Sequence, residues 1–249
     1  MANPEEGNPL LSAAMLWEMI EPNTRHLADE DRAHLRASID VLLAKVEIAT
    51  SILAEPASAR AAPQLLSPEC RGEAGYSEAY SELARGQALL AVLEGLNSAK
   101  SLLELRCDAP TAAAAMLSEA ALTEASPTWP MSIDTSGWPP SMPYFSACVD
   151  ELLSEARRLK RLPRAARDLD DATAEAVRFA MLREASDARA LLVLLAGGTQ
   201  QLRRAKTLPA AQRQSVALDA MQLWSPLAHS VGVAYTFAAL DSLAYASLF

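Results

Sequence analysis

The sequence of 249 residues is poor in the residues that build β-sheets and disulfide frameworks. It holds 9 Gly, 3 Cys and 5% aromatic residues. Because aromatic residues favour strands, their scarcity argues against a sheet. The cysteines (Cys70, Cys107 and Cys148) form no Cys-x-x-Cys pair, and an odd, widely spaced set in a long chain does not indicate a disulfide framework. We expect them to be small buried side chains in a reducing compartment.

Long apolar runs are also missing, and the net charge has the wrong sign for binding nucleic acid. No run approaches the roughly 20 apolar residues that span a bilayer. The first six residues hold two glutamates and no basic residue, which is not the pattern of a signal or transit peptide. The net charge is −9 and the pI is near 4.9. We therefore expect a soluble protein of the cytoplasm or plastid stroma that binds neither nucleic acid nor a membrane.

One basic segment stands against this acidic background, on a predicted helix and the turn after it. It contains Arg157, Arg158, Lys160, Arg161, Arg164 and Arg167. Two interpretations remain open. Arg157, Arg158 and Arg161 could line a groove that binds the phosphates of a nucleotide, or the segment is a solvated helix face, which is the commoner reason for such a run.

Apolar residues make up 51% of the chain, and most are alanine and leucine, which favour helices. The sequence therefore predicts an all-α fold, a single multi-helix bundle. We expect residues 1–75 to form N-terminal helices and a linker rich in Pro, Ala and Ser, and residues 76–249 to form the main domain. The spacing predicts helices at residues 9–20, 29–53, 77–106, 111–123, 145–162, 171–196, 210–224 and 236–248.

Several local signals set the predicted boundaries. Gly86 and Gly95 weaken the third helix, and Asp108 is expected to cap the fourth. The pair Gly197–Gly198 is expected to end the sixth helix as a C-cap. Residues 126–143 hold five prolines and therefore predict a loop. Trp129 and Trp138 in that loop indicate either a binding loop or a loop pinned to the core, and we favour pinning.

Four segments carry a resemblance to a known family. They are residues 108–117 (DAPTAAAAML), 187–196 (DARALLVLLA), 224–233 (WSPLAHSVGV) and 240–245 (LDSLAY). Together they resemble the hydrolase domain of the RelA/SpoT-homologue family, the enzymes that make and degrade (p)ppGpp. The resemblance covers about residues 108–249 and implies an HD-superfamily helical bundle, in agreement with the composition.

The family's hydrolase domain holds one divalent cation, usually manganese, which activates a water. Its ligands are two histidines, an aspartate after the second histidine, and a distant aspartate. Carried onto this chain, the His-Asp pair falls on Ser118 and Glu119, the distant aspartate on Gly197, and the first histidine near Glu94. Only Glu94 and Glu119 would remain as manganese ligands, because glycine offers no side chain and a serine hydroxyl binds manganese poorly.

The resemblance therefore implies a catalytically degenerate hydrolase domain with no cofactor, acting as a regulatory, nucleotide-binding or interaction module in the stringent response. Its partners would be ppGpp or another guanine nucleotide, or a synthetase domain or another protein. One alternative is an active (p)ppGpp 3′-pyrophosphohydrolase with a rebuilt manganese site. Another is a purely structural helical protein. A P-loop is absent from the sequence.

Overall fold

A computed structural model of the chain describes residues 12–53, 73–122, 138–165 and 171–248. Every regular element within these ranges is helical, which confirms the predicted all-α bundle. The α-helices are α1 (Ala13–Ile20), α2 (Asp29–Leu53), α3 (Glu73–Glu104), α4 (Ala109–Leu122), α5 (Pro143–Ala165), α6 (Asp171–Glu184), α7 (Ala188–Arg204), α8 (Ala210–Asp219), α9 (Ser225–Val231) and α10 (Ala234–Leu248). A π-helical turn, Ala220–Trp224, joins α8 to α9.

Helix α4 lies at the centre of the bundle and contacts α2, α3, α5 and α7. Residues 112–117 are all buried, and the first four are alanines. Because interhelical distance depends on the side chains at the contact, this alanine run lets the neighbouring helices approach closely. Asp108 caps α4 as predicted, since its Oδ1 accepts a hydrogen bond of 3.2 Å from the N–H of Thr111.

Helix α3 runs unbroken through the two glycines that were expected to weaken it. Gly86 is exposed, and a Cβ placed there would meet nothing within 4 Å. A Cβ on Gly95 would lie 2.1 Å from the carbonyl oxygen of Met116. Gly95 is therefore the point at which the backbone of α3 crosses directly over that of α4.

The prediction of one helix at residues 171–196 is wrong. The chain instead forms α6 and then α7, which begins after Asp187. The Oδ1 atom of Asp187 accepts a hydrogen bond of 2.8 Å from the N–H of Arg189 and so caps α7. Helix α7 continues through Gly197–Gly198 to Arg204, so the predicted C-cap at the glycine pair is wrong.

Packing explains why α7 does not end at its glycines. Each interior glycine costs a helix about 1 kcal/mol relative to alanine. Burial of Thr199, Gln200 and Leu202 beyond the pair offsets this cost. A Cβ on Gly198 would lie 3.6 Å from the ring of Trp224, so this ring packs against α7 at Gly198.

The inner face of α5 carries Val149, Leu152, Ala156 and Leu159, which are all buried. Trp138 is also buried and packs edge-on against Phe145, with ring centroids 5.7 Å apart. Trp138 thus pins the described end of the predicted loop to the core. Trp129 and most of residues 126–143 lie outside the described residues.

Helices α1 and α2 pack against α3, and α2 also packs against α4. The predicted division at residues 75–76 falls at the start of α3 and stays a prediction. None of the described helices is long and apolar enough to cross a membrane.

Candidate functional site

The three helices that carry the resemblance-derived positions pack against one another. Glu94 lies on α3, Ser118 and Glu119 lie on α4, and Gly197 lies on α7. Each pair among these three helices is in contact. Because Gly95 crosses α4 at Met116, Glu94 and Ser118 both lie within two residues of that crossing.

Glu94 forms an ion pair with Arg204, in the last turn of α7. The Nη1 atom of Arg204 lies 3.3 Å from Oε1 and 3.4 Å from Oε2 of Glu94. The Glu94 side chain is 12% exposed. Burial raises the pKa of Glu94, and the charge and hydrogen bonds of Arg204 oppose this rise. Arg204 could not be predicted as a partner, because the predicted helix ended at residue 196, eight residues before the end of α7.

The other two described positions offer little to a cation. The hydroxyl of Ser118 is completely buried and donates a hydrogen bond of 2.8 Å to the carbonyl of Ala115, within its own helix. Gly197 is half-buried in α7 and has no side chain. The side chain of Glu119 lies outside the described residues, so its role as a ligand stays a prediction.

Within the described ranges, no group of three or more His, Cys, Asp or Glu side chains is placed to hold a metal ion. The three histidines make packing or backbone contacts. The ring centroid of His229 lies 5.3 Å from that of Phe237, and the centroid of His34 lies 5.0 Å from that of Phe145. The Nε2 atom of His26 lies 3.0 Å from the carbonyl oxygen of Cys107. His34 is half-buried.

The three candidate phosphate-binding arginines do not share one environment. The Nη1 atom of Arg158 lies 2.8 Å from Oε2 of Glu184, and the same guanidinium lies near Glu155, so it joins α5 to the end of α6. Burial lowers the pKa of Arg157, and the nearby charge of Arg161 lowers it further. The charges of Arg157 and Arg161 thus repel each other, and both residues remain predicted nucleotide contacts. Arg158 instead has a structural partner.

A second ion network holds the N-terminal ends of α4 and α7 together. Arg189 donates to Asp108 and to Asp187, and both of these contacts are 2.7 Å long. Hydrogen bonds from Arg189 are the main cause of the lowered pKa of Asp187. The Asp-x-Arg pattern of the resemblance therefore has a structural role in this chain, because it fixes α7 beside α4.

Comparison with known proteins identifies the domain to which this arrangement belongs. A family model described as an HD domain matches residues 76–234, which is more than half of the chain. The chain belongs to the HD domain family. The matched segment contains α4 and α7, which carry two of the four segments of the resemblance.

Relatives of this HD domain protein include enzymes of (p)ppGpp turnover. It is 30% identical over 105 residues to the bifunctional (p)ppGpp synthase/hydrolase SpoT of Escherichia coli, covering 42% of this chain and 15% of that protein. It is 33% identical over 98 residues to the probable chloroplastic GTP diphosphokinase CRSH of Arabidopsis thaliana, covering 39% of this chain and 17% of that protein. The chain thus matches less than a fifth of the length of either relative.

Proposed function

We propose that this chain is a catalytically inactive RelA/SpoT-type HD domain that acts as a regulatory, nucleotide-binding or interaction module in ppGpp metabolism. The observation that carries the proposal is the ion pair between Glu94 and Arg204. The family resemblance puts the first histidine ligand near Glu94, and the carboxylate of Glu94 is already paired with a guanidinium.

A metal site needs several unprotonated donors that converge on one point. Glu94 instead faces a cation supplied by the chain itself, the Ser118 hydroxyl is bonded to its own helix, and Gly197 has no donor. These residues do not fit the family's manganese site, and the proposal includes no step through a metal. The alternative, a hydrolase with a rebuilt manganese site, would need Glu119 and further ligands from outside the described residues.

The helical scaffold around these positions is nevertheless intact. Three observations support a retained framework with changed ligands. They are the order and packing of α3, α4 and α7, the cap at Asp108, and the HD domain match. A retained framework favours a role in binding or interaction. The partner would be ppGpp, another guanine nucleotide or a (p)ppGpp synthetase domain. We place this role in the cytoplasm or the plastid stroma.

The test uses purified full chain and ppGpp, with and without manganese. We expect no release of pyrophosphate above the metal-free control, while an active RelA/SpoT hydrolase in parallel releases it. Calorimetric titration with ppGpp then separates the roles: binding of equal affinity with and without manganese supports a nucleotide-binding module. Manganese-dependent release of pyrophosphate would overturn the proposal and establish the rebuilt hydrolase.

A further inference from the structure

The outer face of α10 exposes almost no charge. Only one of the seven exposed residues of this helix, Asp241, is charged, and the other six are Ala234, Tyr235, Ala238, Ser242, Tyr245 and Ala246. On α2, by contrast, five of the seven exposed residues up to Glu47 are charged. Tyr235 and Tyr245 are 60% and 61% exposed. Few charges together with exposed tyrosines are the composition of the core of a protein–protein interface.

The surroundings of this face add little charge to it. Asp241 lies at its margin and accepts a hydrogen bond from the hydroxyl of Ser225 on α9, so its carboxylate is turned towards its own chain. Helix α8 packs against α10. None of the six exposed residues of α8 is charged, and they are Ala210, Ala211, Gln212, Gln214, Ser215 and Leu218. The helices that follow α7 thus form a charge-poor part of the molecular surface.

The order of the side chains on the α10 face is the same in both directions from Leu240. Leu240 is completely buried, so the centre of the exposed face lies on the opposite side of the helix. The pairs at equal distances from this residue are Ala238 and Ser242, Tyr235 and Tyr245, and Ala234 and Ala246. At about 100° per residue, the two members of each pair lie at equal angles on either side of the centre of the face. A contact between two copies of one chain requires such self-complementarity, because residue i contacts j while j contacts i.

The net charge restricts where two copies of this chain can meet. Each copy carries a net charge of −9, so two copies repel each other when their charged surfaces approach. Contact through the α10 face brings together only the Asp241 carboxylates, and each of these is hydrogen-bonded to Ser225 of its own chain. The sparse charge of the face therefore permits a second copy, and the order of its side chains matches one.

We infer that two copies of this chain associate through α10, with the two helices antiparallel and a two-fold axis at the level of Leu240. Tyr235 of each copy then lies level with Tyr245 of the second copy, and Ala238 lies level with Ser242. The small side chains near the axis let the two helices approach closely, and the tyrosines cover both ends of the contact.

The size of the contact sets the strength expected of the dimer. Helix α10 has 15 residues and is therefore roughly 22 Å long. A contact of this length is at the small end of specific interfaces, so we expect a dissociation constant on the order of micromolar. The inference goes beyond the proposed function, because the dimer requires neither a nucleotide nor a metal.

The test is sedimentation equilibrium of the full chain without nucleotide, from about 1 to 300 µM, a range that brackets the affinity of a small interface. We expect the mass to rise with concentration from 26.7 kDa towards twice that value. Ala238→Glu should weaken dimerisation at least ~10-fold, because it places a charge inside the contact. Ala176→Glu is the matched control, since it makes the same change at an exposed position of α6, and it should dimerise like the wild type.

A second variant, Ser242→Lys, tests the antiparallel arrangement and replaces Ala238→Glu if that protein fails to fold by circular dichroism. Each of the two variants alone should dimerise more weakly than the wild type. An equimolar mixture should dimerise more tightly than either variant alone, because the glutamate of one copy then lies level with the lysine of the other. A wild type that stays at 26.7 kDa over the whole range, equal weakening by Ala176→Glu, or a mixture no tighter than its components would overturn the inference.

Discussion

Two glycines on one helix illustrate how differently a single residue can be constrained. Gly86 faces open space on α3, whereas Gly95 lies against the backbone of α4 at Met116. Glycine in a helix interior costs roughly 0.5–1 kcal/mol relative to alanine, so the sequence pattern alone makes both positions weak points. Only the packing shows that the second glycine is required.

We predict opposite effects of alanine at these positions. Gly95→Ala should lower the free energy of unfolding by at least about 1–3 kcal/mol, because a backbone carbonyl cannot move away as a flexible side chain can. Gly86→Ala should raise it by roughly 0.5–1 kcal/mol through helix propensity. Urea denaturation followed by circular dichroism measures both changes. A Gly95→Ala protein as stable as the wild type would contradict the observed crossing of α3 over α4.

At the scale of the element, the start of α7 depends on a charge. Hydrogen bonds from Arg189 lower the pKa of Asp187 in the folded state. The carboxylate therefore stabilises the fold above its unfolded pKa of about 3.9 and loses this effect as the pH falls through its lower folded pKa. Asparagine keeps the cap of the helix but removes the charge, so Asp187→Asn isolates the ion pair.

We expect Asp187→Asn to be less stable than the wild type at pH 7, and the difference to shrink as the pH falls below about 4. Urea midpoints at pH 7, 5 and 3 measure this trend. Asp29→Asn is the control, because its carboxylate is fully exposed and should give a small difference at every pH. If the Asp187→Asn difference is the same at all pH values, the ion pair does not contribute as described.

The π-turn after α8 depends on a contact from another helix. Arg178 of α6 donates a hydrogen bond to the carbonyl of Gln222, in the middle of Ala220–Trp224. Arg178→Met should lower the free energy of unfolding by about 1–3 kcal/mol, because that carbonyl loses a charged donor. Arg183→Met, on the exposed side of α6, should change it by less than about 0.5 kcal/mol. Equal effects of the two variants would assign the loss to helix propensity instead.

Sequence patterns located most helices and the cap at Asp108, because these features depend on local spacing and local hydrogen bonds. They failed at Gly197–Gly198, where local propensity favours an end and the ring of Trp224 and the buried residues beyond favour continuation. For the same reason Arg204 was not identified. The positions of Ser118, Glu119 and Gly197 followed from the family resemblance, but the partner of Glu94 lies 110 residues away and could not be read from spacing.

At the scale of the whole molecule, the pair between Glu94 and Arg204 joins α3 to the far end of α7. Burial raises the pKa of Glu94, so this carboxyl group favours folding at low pH and opposes it as the pH rises through its folded pKa. At neutral pH the folded protein thus holds a poorly solvated carboxylate that Arg204 only partly compensates. The net stabilisation from the pair should therefore be smaller than the destabilisation caused by removing Arg204, because that change leaves the Glu94 carboxylate buried and unpaired.

A double-mutant cycle at pH 7 tests this asymmetry. Arg204→Gln should lower the free energy of unfolding by about 1–2 kcal/mol, a value reduced from that of a fully buried pair because the arginine is partly exposed. Glu94→Gln should be neutral or stabilising, and the double variant should recover most of the loss. Urea denaturation of the four proteins gives the coupling free energy. The opposite outcome is that Glu94→Gln lowers the free energy of unfolding as much as Arg204→Gln does, and that the double variant recovers nothing. Glu94 would then be a net stabilising partner, and its carboxylate would not be the poorly solvated group that its burial indicates.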